Sequence, residues 1–219
     1  LKVIFSRIYL RFLSIGLKVP KWHLNATYYV REYKSKVIEI CNYFNNEINY
    51  IIEIGCGTGE LINRVNINKK LGIDIDQGVI TLCNRLHPKL NTLCLDVISN
   101  YDKFIDHIKR IGCNEKILLV MVNWLHIYSI EEANDYIERL LSLDKNILII
   151  VDIYSRVEFS RNKDNKFSHD FLGLKNVKWF CSFDKIDKVR DIQIVANFKP
   201  NNIDTIIKKI NFLDYHSKS

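Results

Sequence analysis

The chain has 219 residues, 47% of them hydrophobic, with only eight glycines and three prolines and a formal net charge of +7. That length fits one domain with extensions, and the composition suits a well-filled core. The six cysteines (Cys41, Cys56, Cys83, Cys94, Cys113 and Cys181) form neither a C-x-x-C nor a Cys/His cluster with zinc spacing, which argues against a disulfide framework and reads as reduced thiols in a cytosolic protein.

The charge is placed unevenly. Lys2, Arg7, Arg11, Lys18, Lys21, Arg31, Lys34 and Lys36 stand against Glu32 and Glu39 in the first forty residues. The remainder is close to neutral, so a broad nucleic-acid footprint is disfavoured. Residues 1–20 read as an N-terminal amphipathic segment and residues 21–219 as the main domain. At about 100° per residue, Arg7, Arg11, Ser14 and Lys18 fall on one stripe, with Phe5, Ile8, Phe12, Ile15 and Val19 on a wide apolar arc opposite. The segment is too short and too charged to span a bilayer, and it lacks the small-residue cleavage site of a signal peptide. Two readings stay open: packing on its own domain or a second subunit, and lying on an anionic membrane surface.

An amphipathic helix is predicted over Ala26–Phe44, then strands over Tyr50–Ile54, Lys70–Ile73, Thr92–Leu95, Ile117–Val122 and Asn146–Asp152. Helices are predicted between them from near Thr58, Gln77, Asn100 and Ser129. Such alternation specifies a mostly parallel sheet covered by helices. Beyond a polar stretch at 154–169, strand signals at Val177–Phe183 and Asp191–Phe198 predict an antiparallel pair, and Asn202–Phe212 a final helix.

The first strand runs into Glu53-Ile-Gly55-Cys-Gly57-Thr-Gly59-Glu60. Glycines at alternate positions permit a tight turn and let a ligand approach main-chain N–H groups. Asp74 follows Gly55 by nineteen residues, near the offset at which an acid meets a ribose in nucleotide-binding βαβ units, so the stretch reads as an adenosine site. A dinucleotide fingerprint would need glycine at position 60 or 62, which hold Glu60 and Ile62. Glu60 would repel a phosphate at a helix N-terminus. A P-loop G-K-[ST] is also missing. Asp76, past the strand end, reads as the N-cap of the helix from Gln77.

The pattern E-x-G-x-G-x-G resembles motif I of the class I methyltransferases, which bind S-adenosylmethionine. The resemblance covers about residues 25–200. It implies an α/β, Rossmann-like, seven-stranded, mostly parallel sheet with an antiparallel last strand and helices on both faces. It also implies that Gly55, Cys56, Gly57 and Gly59 hold the methionine part of the cofactor and that Glu53 fixes the turn. Asp74, with Ile75, would meet the ribose hydroxyls. Asp96, with Val97, would meet the adenine, and Asn123 would complete the cofactor site.

The fourth strand runs out into Met121-Val-Asn-Trp-Leu-His126, where the methyl group would be presented. The chain has no Pro-Pro and no Pro-Cys dipeptide, which disfavours the adenine N-methylating and cytosine C5-methylating groups. Asn-Trp-Leu-His, with Phe167-Ser-His-Asp-Phe171, resembles bacterial methyltransferases of surface-polysaccharide gene clusters. Histidine is the commonest side chain for taking a proton near neutral pH, so His126 and His169 are the candidate bases. Trp124 and Tyr28 are candidate acceptor contacts. Trp22 and His23 could line the site from the other side, and His87, His107 and His216 are assigned no role.

The expected activity is metal-free methyl transfer to a small-molecule or glycan acceptor, at a hydroxyl oxygen. The expected location is the cytoplasm, with possible contact at the inner membrane surface. A divalent ion between Asp152 and Asp170 is the variant to exclude. RNA methylation and a non-catalytic, cofactor-binding partner subunit are the rival readings.

Overall fold

The computed structural model describes residues 1–25, 27–125, 128–154, 171, 173–183, 186, 190–201 and 215–218. Helices α1 (Lys2–Leu13), α2 (Lys21–Asn25) and α3 (Glu32–Tyr43) precede the sheet. The sheet strands are β1 (Tyr50–Ile54), β2 (Lys69–Asp74), β3 (Asn91–Cys94), β4 (Lys116–Met121), β5 (Asn146–Tyr154), β6 (Trp179–Phe183), β7 (Arg190–Ala196) and β8 (Tyr215–Lys218). Helices α4 (Gln77–Leu86), α5 (Tyr101–Arg110) and α6 (Ile130–Leu141) cross between them.

The strand order is β3-β2-β1-β4-β5-β7-β6-β8. β1 to β5 are mutually parallel, and β7 enters antiparallel between β5 and β6. β6 is therefore parallel to the first five, which gives the expected seven-stranded sheet with its last strand reversed. β8, not anticipated from the sequence, adds an antiparallel edge to β6.

Alternation along the central strands builds two cores. Ile51, Leu118, Val120, Leu148 and Ile150 face α3. Ile52, Ile54, Leu119, Met121 and Ile149 face α5 and α6. The helices sit on both faces as the apolar pattern requires. The starts of α4 and α6 follow capping chemistry. Asp76 accepts from Val79 N–H at 3.0 Å, and Ser129 with Glu132 forms a capping box.

Two helix predictions are corrected. The helix expected from Ala26 begins at Glu32. Tyr28 N–H is drawn instead to Glu60 Oε2 at 2.7 Å, and Val30 N–H closes a turn onto Thr27. The helix expected from Thr58 is only a 3₁₀ turn, Ile62–Arg64. The glycine turn uses the first residues of the β1–β2 connection, and Asn66 N–H is then captured by Asn42 Oδ1 at 2.7 Å. Too little chain remains for a helix. The helix expected over Asn202–Phe212 lies outside the described residues. Among the described residues, no helix is long and apolar enough to cross a membrane.

Candidate functional site

The β1–β4 junction is where the strand order reverses direction. Ligands of open α/β sheets bind there, beyond the carboxyl ends of the strands. In this chain those ends deliver residues 54–58 from β1, 73–76 from β2, 95–97 from the β3 exit and 122–124 from β4 to a cavity of about 530 Å³. Its size falls in the usual range for small-molecule sites. Pro20, Trp22, His23, Arg31, Tyr33 and Lys34 close it from the leading helices, and Tyr128 from the β4 side.

The glycine turn forms one wall. Gly55 and Gly57 have φ of 72° and 55°, the left-handed region. A Cβ at Gly55 would stand 3.0 Å from the Trp124 ring, and one at Gly57 would stand 3.2 Å from His23 Nδ1. The positive φ strains any side chain at these positions and the space above them is tight, so bare backbone faces the cavity.

Asp74 fixes that backbone. Its Oδ2 accepts Gly57 N–H at 2.9 Å and its Oδ1 accepts Asp76 N–H at 3.0 Å. Each oxygen keeps a further acceptor site, because a carboxylate offers about four. Glu53, beneath the turn, accepts Ile62 N–H at 3.1 Å. Burial raises its carboxyl to about 8, with Lys34 and the Ile62 bond opposing.

Asp96 borders the cavity beside Val97 and also organises its own loop. It accepts from Ile98 N–H at 3.1 Å, Ser99 N–H at 3.2 Å and Ser99 Oγ at 2.6 Å. The Ser99 hydroxyl bond holds its carboxyl below the ordinary range.

On the β4 side, Asn123 is the non-glycine residue with positive φ among the described residues, at 59°. Such a conformation persists only where its surroundings over-determine it. Here Asp152 Oδ1 accepts Asn123 N–H at 2.7 Å, and Arg190 Nη2 donates to Asn123 Oδ1 at 3.3 Å. Arg190 Nε also pairs with Asp152 Oδ2 at 3.1 Å, and its guanidinium lies 4.1 Å over the Tyr33 ring. Burial raises the Asp152 carboxyl to about 6, against the Asn123 and Arg190 contacts. Asp152, considered above as a metal ligand, thus has both oxygens engaged by protein donors.

Glu53, Gly55, Cys56, Gly57, Asp74, Ile75, Asp96, Val97, Asn123 and Trp124 all line the cavity, and Trp22 and His23 join them. Gly59 and Tyr28 are not on its wall. The Cβ position of Gly59 is filled by Cys83, Leu90 and His87 side chains, which makes it a packing glycine of the turn. Tyr28 packs under Arg64, whose Cζ is 4.2 Å from its ring centre. His126, His169 and Asp170 lie outside the described residues. Sequence reasoning missed Arg31, Tyr33, Lys34 and Tyr128. Only the Lys34–Glu60 charge pair, 3.3 Å apart, had a trace in the sequence, through the acid on the turn.

No family model and no curated protein matches the sequence. Solved structures do. The N-methyltransferase NodS from Bradyrhizobium japonicum WM9, in complex with S-adenosyl-L-homocysteine, superposes at a TM-score of 0.57 with 13% identity, over 87% of this chain and 98% of that one. The chain has the class I methyltransferase fold. WbdD, in complex with a kinase inhibitor, shares this fold at a TM-score of 0.58 and 17% identity, over 86% of this chain but only 47% of WbdD. The methyltransferase domain of bacterial CtHen1 shares it at a TM-score of 0.51 and 10% identity, over 75% of this chain and 97% of that domain. In the class I methyltransferase fold the described cavity lies at the switch point, where the glycine turn and Asp74 meet.

Proposed function

We propose that this chain is an S-adenosylmethionine-dependent methyltransferase acting on a small-molecule or glycan acceptor, at a hydroxyl oxygen. The observation that carries the reading is the pairing of a bare, left-handed glycine turn with the Asp74 carboxylate at the switch-point cavity. NodS, crystallised with the demethylated cofactor, has the same fold. The residues fit the cofactor chemically. Asp74 has acceptor sites left for two ribose hydroxyls, the glycine turn offers unshielded backbone to the methionine part, and Asp96 and Val97 border the adenine side. Glu60 pairs with Lys34 at 3.3 Å and accepts Tyr28 N–H at 2.7 Å, which ties it to the leading segment and keeps it off the cavity wall.

When bound, S-adenosylmethionine supplies an electrophilic methyl for in-line displacement, a reaction that gains most from positioning. The protein's part is to hold the acceptor in line and to take its proton. Trp124 and Tyr128 form the apolar acceptor-side wall, and Asn123 is locked there by Asp152 and Arg190. His126 and His169 remain the proposed bases. His23 is a third candidate, the histidine on the described cavity wall. Burial lowers its pKa, with Asp74 and Asp76 opposing.

The test is calorimetry with S-adenosylmethionine and S-adenosylhomocysteine. The intact protein should bind both. Asp74→Ala should bind at least about 100-fold more weakly, because hydrogen bonds to a charged group contribute about 1.5–3 kcal/mol each. An intact protein that binds neither ligand overturns the reading.

A further inference from the structure

Helix α1 sits on the fold with its apolar face outward. Phe5, Ile8 and Phe12 are 63, 59 and 67% exposed, and Leu1, Ile4, Tyr9 and Ile15 are also open to solvent. On a helical projection the apolar residues span an arc of about 140°, with Arg11 at one edge and Lys2 at the other.

The opposite face fastens the helix. Leu10 is buried, Arg7 donates to Asn25 O of α2, and Arg85 of α4 donates to the carbonyls of Leu13 and Ile15. The outward arc is therefore fixed by specific contacts beneath it. Charge says what it faces. The chain carries no acid before Glu32, while Lys2 and Arg11 flank the arc and Lys18 and Lys21 follow it. An apolar arc with aromatic residues and basic flanks matches the chemistry of an anionic lipid surface, where acyl chains receive the arc and headgroup phosphates pair with the cations.

We propose that α1 docks this protein on the surface of an anionic lipid bilayer. Helix α2, which gives Trp22 and His23 to the cavity wall, packs on α1. Resting on the methyltransferase reading, this places the cavity beside the membrane and makes a lipid-carried acceptor the substrate class to test.

The experiment is co-sedimentation of the full chain with vesicles of phosphatidylcholine alone or mixed with phosphatidylglycerol, alongside the oligomeric state in solution. The wild type should pellet with the mixed vesicles and stay in solution with the neutral ones. The triple variant Phe5→Ser/Ile8→Ser/Phe12→Ser should lose vesicle binding. Arg11→Gln should weaken it about five-fold, the worth of one surface cation. Far-ultraviolet dichroism checks that each variant is folded, since all four positions are exposed. A triple variant that pellets like the wild type overturns the proposal. So does a wild type that ignores vesicles and forms a dimer dispersed by the same substitutions, because the arc would then cover a second copy. Vesicle binding without S-adenosylmethionine binding would remove the enzymatic reading and leave this one standing.

Discussion

Glu53→Gln separates the cost of a buried carboxyl from its use. In the folded chain burial raises Glu53 to about 8 from an ordinary value of 4.5. Between those two values the native state keeps a proton that the unfolded chain has released. The native state then binds more protons, so stability falls as pH rises and the loss is complete above the folded value. From pH 5.5 to pH 8 this is on the order of 3 kcal/mol. Glutamine keeps an acceptor for Ile62 N–H and cannot ionise, so the variant should escape the loss. Asp152, raised to about 6 in the same window, is present in both proteins and cancels in their difference. The assay is urea denaturation of the cofactor-free wild type and variant at both pH values. The expected result is a gap that widens in the variant's favour as pH rises. Parallel pH dependence, within about 0.5 kcal/mol, would refute the reasoning. On the proposed reading Glu53 receives the cofactor's ammonium group, which favours the ionised carboxyl, so binding should tighten with pH in the wild type and be weaker in Glu53→Gln.

Gly57→Ala places a Cβ against His23 at a φ of 55°. It should abolish cofactor binding in calorimetry and cost about 1–2 kcal/mol in denaturation. Asp152→Ala leaves the Arg190 charge buried without its carboxylate and should lower stability by about 3–5 kcal/mol, read from urea midpoints. Among His23→Ala, His126→Ala and His169→Ala, the variant lacking the base should lose about 10²–10⁴-fold in kcat while retaining cofactor affinity. A chelator should leave turnover unchanged, and activity lost to chelation and restored by a divalent ion would reinstate a metal.

Strands β1 to β7 were legible because their signals are local. Tyr50–Ile54 is an unbroken strand-forming run buried from its second residue onward, and its observed bounds coincide with the expected ones. Asp76 as a helix cap was equally local, since donor and acceptor lie three residues apart. What failed was decided at long range. Nothing around Thr27–Val30 announces that Tyr28 N–H pairs with Glu60, thirty-two positions away. Nothing in the β1–β2 connection announces that Asn42 captures Asn66. The cavity walls divide similarly. The glycine turn and Asp74 carry a spacing that a reader can match, whereas Tyr33 on α3 and Tyr128, just before α6, reach the cavity only because distant segments pack onto one sheet.

The insertion of β7 between β5 and β6 bears on how the chain is made. As residues emerge in order, β5 is complete at Tyr154 but its sheet partner begins only at Arg190. In the folded chain that edge of Asn-Ile-Leu-Ile-Ile-Val-Asp-Ile-Tyr is covered by β7, and β6 meets the rest of the sheet through β7, so until Arg190 onward is made the edge lacks its native cover. An apolar, unpaired edge is the kind of surface on which chains associate with one another. The last strands therefore act as a seal, and premature termination between residues 155 and 190 should give an aggregating fragment, not a smaller soluble domain.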